Sequence, residues 1–387
     1  MLHNFAANNE MYGVLDAIAI GPIKARSSYN STMIGVGMCM EGIEQNPIVY
    51  DLMSEMAFRH DPVDVEEWLL LYSTRRYGKQ IKGLKDAWKI LLRTLYNCTD
   101  GAYNKNRDVI VAFPDVEPSV ILNEEAKLHE TSPTNNFLVR KLPEGNLQDD
   151  NSDVAYEKPH LWYSTADVIH ALRIFLENGG EVSDIPTFRY DLVDLTRQAL
   201  AKYTNEVFQK ALEGYRSNDL TKVNFHSRHF LDLVEDLDTL LTSHDGFLLG
   251  PWLESAKNLA TDSDQKEQFE WNARTQITMW YDNLETEASL LRDYGNKYWS
   301  GLLRDYYGPR AKIYFECLSS SMQTGKPFSL QDWRRDWISL TNSWQKSREV
   351  YPVQASGDTY SISQWIFDKY LSRTGSYLQY DHSVSSF

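Results

Sequence analysis

Among the 387 residues, the carboxylate with the clearest chemical setting is Glu41, in the stretch MIGVGMCMEGIEQNPIVYDLM that runs from Met33 to Met53. A carboxylate serves as a nucleophile when ionised, or as a general acid or base when its surroundings tune its pKa. Which of these it does depends on where the backbone holds it. The apolar run Met33 to Met38 is too short for a helix and is broken by Gly35 and Gly37, which predicts a buried parallel strand. Glu41 follows beside Gly42, and Asn46-Pro47 then opens an apolar-periodic segment through Ile48, Val49, Leu52 and Met56. Asn at the N-cap and Pro at the first helical position mark a helix start. The unit reads as strand, turn with Glu, helix. In barrels built from such units the carboxyl ends of the strands face the active site, which makes Glu41 a candidate catalytic group. A solvated turn residue fits the same spacing. Glu44 reads as a residue near the next helix N-terminus, where negative charge is favourable. Cys39 reads as a small packing residue, since no His lies near it in sequence.

The elements around this stretch change character along the chain. Met1 to Phe5 reads as the tail of a strand, Asn9 to Ala19 as a short helix with Met11, Leu15 and Ile18 on one face, and Ile20 to Thr32 as a loop around Gly21-Pro22. This gives two βα units. After Asp61-Pro62 the strand signal ends. Asp64 caps a segment carrying Trp68, Leu69, Tyr72 and Tyr77, and Leu84 to Asn97 follows with Trp88, Leu91, Leu92 and Leu95 at helical spacing. The stretch Asp100 to His160 is polar and aperiodic. Ser164, with Asp167 three residues on, starts another helix. The stripe Phe188, Leu192, Leu195, Ala199, Tyr203, Val207 and Ala211 predicts a helix of about 30 residues, long enough to be the axis of a bundle. Leu220 to Leu241, Phe247 to Ala260 and Gln265 to Trp280 continue the helical pattern. Tyr294, Tyr298, Leu302 and Tyr306 recur every fourth residue, and Gly308-Pro309 is expected to end that helix. Arg310 to Met322, Leu330 to Tyr351 and Ser361 to Leu371 complete a large all-α region.

Composition removes several classes of function. The formal net charge of -15, with no Lys/Arg stripe, argues against a nucleic-acid partner. No apolar run approaches the ~20 residues that span a bilayer, so no membrane role is expected. Cys39, Cys98 and Cys317 are too few and too dispersed for a disulfide framework or a zinc site. Nothing in the pattern indicates a metal or a cofactor. The N-terminal MLHNFAANNEMYG has neither the basic nor the apolar region of a signal peptide. Two glycosylation sequons occur, at Asn30 and Asn97.

Several blocks, taken in order, are more specific than any of these features. MLHNFAANN and NSTMIGVGM precede Glu41; RRYG (Arg75 to Gly78), LYNCT (Leu95 to Thr99), FRYDLVDLTRQA (Phe188 to Ala199), FLLGPWLE (Phe247 to Glu254) and DYYGPR (Asp305 to Arg310) follow it. Together they resemble the α-N-acetylglucosaminidases of glycoside hydrolase family 89, over nearly the whole chain. The resemblance implies a mainly α fold: residues 1–61 as the end of a (β/α)8 catalytic barrel and residues 62–387 as an all-α C-terminal domain. It further implies that the earlier barrel strands precede Met1, so that this chain is an N-terminally truncated form.

The same resemblance implies a retaining exo-glycosidase that removes terminal α-linked N-acetylglucosamine, on heparan-sulfate-type glycans in animal relatives. Retaining glycosidases use two carboxyl groups about 5 to 5.5 Å apart, one attacking the anomeric carbon and one protonating the leaving oxygen. The 2-acetamido group of an α-linked substrate lies cis to the leaving group and cannot displace it from behind, so the enzyme must bring its own nucleophile. Glu41 stands at the family's nucleophile position. The acid/base falls on an earlier strand, outside this chain, although Asn9-Glu10 superficially imitates the Asn-Glu pair that carries it in many barrel glycosidases. The resemblance places Leu2 and Phe5 in the sugar pocket from the barrel side, and Trp280, Leu291 and Tyr294 from the helical side; ordinary core packing is the competing role for each. Three positions depart from the family pattern: Ala6-Ala7 in place of Gly-Gly, Cys39-Met40 in place of Ala-Pro, and Lys105 where a pocket His is usual. A lysosomal, vacuolar or secreted location follows for the full-length enzyme. The partner expected is a glycan, and assembly into a homo-oligomer stays open. The alternative reading is a non-catalytic helical glycan-binding or interaction module derived from such an enzyme.

Overall fold

A 31-residue helix, Pro186–Arg216, is buried along most of its length and organises the molecule. Its register explains why: Phe188, Leu192, Leu195, Ala199, Val207 and Ala211 form one apolar stripe, while Asp191, Asp194, Arg197 and Lys202 are buried as well, each with a charged partner. A helix buried on all sides sits inside a bundle rather than on a surface.

The computed structural model describes residues 2–4, 10–40, 42, 45–98, 108–121, 161–280 and 291–372. The elements are β1 (Leu2–Asn4), α1 (Leu15–Ser27), β2 (Met38–Met40), α2 (Pro47–Met56), α3 (Val65–Tyr77), α4 (Lys82–Arg93), α5 (Thr165–Asn178), α6 (Pro186–Arg216), α7 (Leu220–Leu241), α8 (Leu249–Lys257), α9 (Ser263–Gln276), β3 (Met279–Trp280), β4 (Leu291–Arg292), α10 (Gly308–Thr324), α11 (Leu330–Gln345) and α12 (Thr359–Ile366). The fold is mainly α. Helices α6 and α7 form the most extensive pair, joined by a three-residue turn in which Asn218 takes a left-handed φ of 55° and Asp219 caps α7 by accepting from the Lys222 N–H at 2.9 Å. One continuous apolar core runs from Met11 to Leu371, and it includes the fully covered rings of Trp88, Phe175, Trp333 and Trp337.

Two short sheets interrupt the helices. β1 and β2 are parallel, with Leu2 opposite Met38, His3 opposite Cys39 and Asn4 opposite Met40. β3 and β4 are antiparallel, with Met279 opposite Arg292 and Trp280 opposite Leu291.

The expected helices α2, α3, α5, α6, α7 and α12 form close to where periodicity places them, α11 starts at Leu330 as expected but ends at Gln345 rather than Tyr351, and Asp64 caps α3 through the Glu67 N–H. Elsewhere the structure corrects the reading. The strand expected at Met33 to Met38 forms at Met38–Met40 instead, and it is exposed rather than buried, because β1 offers it only three residues to pair with. Ile34 is fully exposed and Cys39 is exposed too, so Cys39 does not pack beneath the turn. The helix expected from Asn9 to Ala19 starts at Leu15 and continues to Ser27, through the predicted loop. Pro22 lies on its buried face with Leu15, Ile18 and Ala19, and that burial outweighs the backbone hydrogen bond that proline removes. Helix α4 ends at Arg93 rather than Asn97, and α9 ends at Gln276, after which the chain turns into β3. Residues 294–299 are not helical. The tyrosine spacing there instead leads into a π turn, Leu303–Tyr307, which runs on into α10, so Gly308-Pro309 opens a helix where a break was expected.

Candidate functional site

β1 and β2 point the same way, so their carboxyl ends lie side by side, at Asn4 and Met40. Phe5 and Glu41 are the next residues in the chain after those two ends. Glu41, Phe5, Glu44 and Lys105 lie outside the described residues, and of Leu2 the backbone alone is described.

The residues just beyond are tied together through Asn46. It stands at the N-cap position of α2 with φ 45°, but it does not cap the helix as its residue type predicts. Its Oδ1 accepts from the Tyr12 N–H at 2.8 Å and from the Tyr96 hydroxyl at 3.2 Å, and its Nδ2 donates to the Glu10 carbonyl at 2.9 Å. A non-glycine residue in the left-handed region carries a backbone cost, here offset by three hydrogen bonds, two of them buried. Asn46 therefore joins the segment after β1, the segment after β2 and the YNC block. Glu10 is itself buried, with its carboxylate on the Lys202 Nζ at 2.9 Å. It is a member of an ion cluster and does not present a free acid to a substrate.

The candidates from the helical side meet on one hairpin. Trp280 and Leu291 are opposite one another on β3 and β4, and each is more than a third exposed. Tyr294 follows β4, and its ring centroid is 6.1 Å from that of Trp280 at 49°. Two aromatic faces and an aliphatic side chain left accessible together make a wall suited to the apolar face of a sugar ring.

The base of this hairpin is held by buried charge. Asp293, with a left-handed φ of 53°, accepts from Arg310 Nη1 at 2.7 and 2.8 Å, while Arg310 Nη2 donates to the Ile110 carbonyl at 2.9 Å. The Arg310 guanidinium is surrounded by the rings of Tyr307, Trp337, Tyr306 and Phe113, with centroids 4.8 to 5.7 Å away. Asp293 holds the Arg310 pKa above its ordinary value against the desolvation that lowers it. Gln345 donates to the Met279 carbonyl and the Thr278 hydroxyl, Arg292 pairs with Asp115 at 2.7 Å, and Asn296 donates to the Val111 carbonyl. Gly295 packs so tightly that a Cβ there would sit 2.4 Å from the Gln276 carbonyl oxygen.

Asp293 and Arg310 were not singled out as site residues in the sequence. Arg310 closes the DYYGPR block, and that block was the available signal. The RRYG and FRYD blocks have a similar explanation: Arg76 and Tyr77 both donate to Asp191, at 2.6 and 2.7 Å, and Trp88 Nε1 donates to the Tyr77 hydroxyl at 2.9 Å. No group of side chains able to hold a metal ion occurs among the described residues.

Comparison with known proteins gives this geometry its family. Residues 68–369 match the C-terminal domain of alpha-N-acetylglucosaminidase (NAGLU), and residues 1–60 match the tim-barrel domain of the same family. The human alpha-N-acetylglucosaminidase is 35% identical over 376 residues, which are 96% of this chain and 45% of that protein. Among solved structures, a family 89 glycoside hydrolase from Clostridium perfringens in complex with PUGNAc superposes with a TM-score of 0.77 at 27% identity, over 96% of this chain and 38% of that one. A Clostridium perfringens variant with two glutamates changed to glutamine, in complex with its substrate GlcNAc-α-1,4-galactose, gives 0.77 at 26% identity, over 97% of this chain and 39% of that one. The fold and these likenesses place the chain in glycoside hydrolase family 89. The chain belongs to the α-N-acetylglucosaminidase family, and it spans less than half the length of these relatives.

Proposed function

We propose that this chain is the C-terminal portion of a retaining exo-α-N-acetylglucosaminidase, with Glu41 as the nucleophile. The observation that supports the reading is the parallel pairing of β1 with β2, which ends at Met40, one residue before Glu41 in the sequence; barrel enzymes keep their catalytic groups at the carboxyl ends of their strands. The pair of mutated glutamates in the substrate-bound bacterial relative supports two-carboxylate chemistry. In this reading residues 1–61 belong to the barrel and residues 62–387 to the all-α domain. The acid/base carboxyl lies outside these 387 residues.

The remaining assignments follow from the same reading. Leu2 and Phe5 line the pocket from the barrel, and Trp280, Leu291 and Tyr294 from the hairpin. The partner is a glycan ending in α-linked N-acetylglucosamine, of the heparan-sulfate type in animal relatives. The sequons support passage through the secretory pathway to a lysosome, a vacuole or the exterior: Asn30 is exposed, in a left-handed turn, and Asn97 is partly exposed. No helix among the described residues is long and apolar enough to cross a membrane.

The test compares this chain and a version extended at its N-terminus against an aryl α-N-acetylglucosaminide, with the β-anomer as control, and follows product stereochemistry by NMR. Hydrolysis of the α-anomer alone, by the extended protein alone and with retention, is the expected result. Folded protein without activity in both forms favours the glycan-binding module.

A further inference from the structure

β3 and β4 are so short that one cross-strand pair lies on each face of their hairpin. Successive side chains of a strand point to opposite faces, and residues directly opposite one another share a face. Trp280 and Leu291 therefore share the front, the accessible wall, while Met279 and Arg292 share the rear, where Met279 is fully buried. Beside the rear pair, the Asp293 N–H donates to the Thr278 carbonyl at 2.8 Å. A slip of one residue would exchange the two faces, and strands of two residues have little backbone pairing to resist it. What fixes the rear face decides where the wall points.

Residues 108–121, between α4 and α5, supply that support. On one side they are seated in the core: the Val109 N–H donates to Asn205 Oδ1 on α6 at 2.9 Å, and the buried Phe113 ring packs on Phe208 and Tyr314 with centroids 5.5 and 5.0 Å away. On the other side they hold the chain around β4. The Ile110 and Val111 carbonyls accept from Arg310 and Asn296, both beyond the strand. Asp115 reaches the strand itself. Its Oδ2 pairs with Arg292 Nη2 at 2.7 Å, and its Oδ1 accepts from Arg334 Nε at 2.7 Å. The Asp115 side chain is 7% exposed, so this end of both pairs is out of solvent, unlike a surface salt bridge. Arg334 stands on α11 next to the fully buried Trp333, so the second arm ends on a helix packed into the core. One carboxylate thus ties the rear of β4 to α11.

We propose that Asp115 is a positioning residue for sugar binding: by holding Arg292 at the rear of the hairpin, it keeps Trp280 and Leu291 turned to the front as a wall of the pocket. Its service to binding rests on the functional reading above; the tie itself does not.

Amide exchange at Asp293, measured on the full chain, tests the tie. The variants are Asp115→Asn and the milder Arg334→Gln, which keeps the Arg292 arm. Exchange should be faster by about tenfold or more in Asp115→Asn, and by less in Arg334→Gln, as the strand opens locally. The second measurement is steady-state turnover of an aryl α-N-acetylglucosaminide by N-terminally extended protein. There Asp115→Asn should raise KM about three- to tenfold, the size of one aromatic contact, and leave kcat within about twofold. Phe188→Ala, a core truncation against Phe175, should leave KM unchanged even though it destabilises the fold. Unchanged exchange at Asp293 in both variants would overturn the proposal. So would a KM that Asp115→Asn leaves unchanged while Trp280→Ala raises it, or one that Phe188→Ala raises equally. A KM that Trp280→Ala leaves unchanged would instead remove the wall assignment on which the binding role rests, so the tie and the functional reading fail separately.

Discussion

The hairpin bearing Trp280 and Tyr294 and the strand pair leading to Glu41 are both two-stranded and short, but they are held in opposite ways. The hairpin is gripped directly at its base: Asp293 is its own residue, and the Arg310 that binds it is fully buried in an aromatic cage. The strand pair has no comparable grip among the described residues. Met38 and Met40 are both more than a third exposed, and the polar ties lie further along the chain, at Asn46, Glu10 and Lys202. The difference separates two tasks. In the proposed function the hairpin supplies a wall of the sugar pocket and is held at its own base, whereas the strand ends lead to the chemistry and the polar ties nearest them lie several residues away.

The comparison breaks most visibly at Arg310. Changing it to Met leaves Asp293 buried without its cation, and loss of one partner of such a pair costs about 3–5 kcal/mol. Chemical denaturation should show a loss of that size, together with a change in tryptophan emission as the hairpin loosens. Core truncation sharpens the contrast. Phe188, fully buried and stacked on Phe175, should cost about 3–5 kcal/mol as Phe188→Ala. Met40→Ala, at 49% exposure, should stay within about 0.5 kcal/mol in the same denaturation experiment. Asn46→Ala falls between these, at about 1–3 kcal/mol, because the Tyr12 N–H and the Glu10 carbonyl lose a buried partner. Amide exchange should speed up at Tyr12 while the β3–β4 amides keep their protection.

The smallest effect expected is one of sign. Burial depresses the His226 and His229 imidazoles on α7 below their ordinary 6.5, with nearby Lys210 adding to the shift. Their contribution is complete above that value and is lost as pH falls below it. Replacing both with Gln should reduce the fall in urea midpoint between pH 7 and pH 5 and leave the slope above pH 7 unchanged.

How much of this was legible in the sequence depended on element length. Helices such as Pro186–Arg216 show many turns of one pattern, so their apolar stripe declares them. β3 and β4 contain two residues each and have no period to read; they exist because Thr278, Met279 and Asp293 find hydrogen-bond partners from distant helices. Pro22 and Pro309 were expected at helix breaks, but one lies on a buried helix face and the other opens a helix fed by a π turn. At the site, resemblance supplied Trp280, Leu291 and Tyr294, and the structure brings those three together on one hairpin. Asp293 and Arg310 stayed hidden because they are 17 residues apart and pair only in three dimensions.

The central claim is that Glu41 attacks the anomeric carbon, and the most direct measurement is turnover of an aryl α-N-acetylglucosaminide by N-terminally extended protein carrying Glu41→Gln, with folding checked by circular dichroism. The account predicts a loss on the order of a thousandfold or more in kcat, as expected when a catalytic nucleophile is removed. Turnover within a few-fold of wild type in a folded Glu41→Gln protein would contradict it.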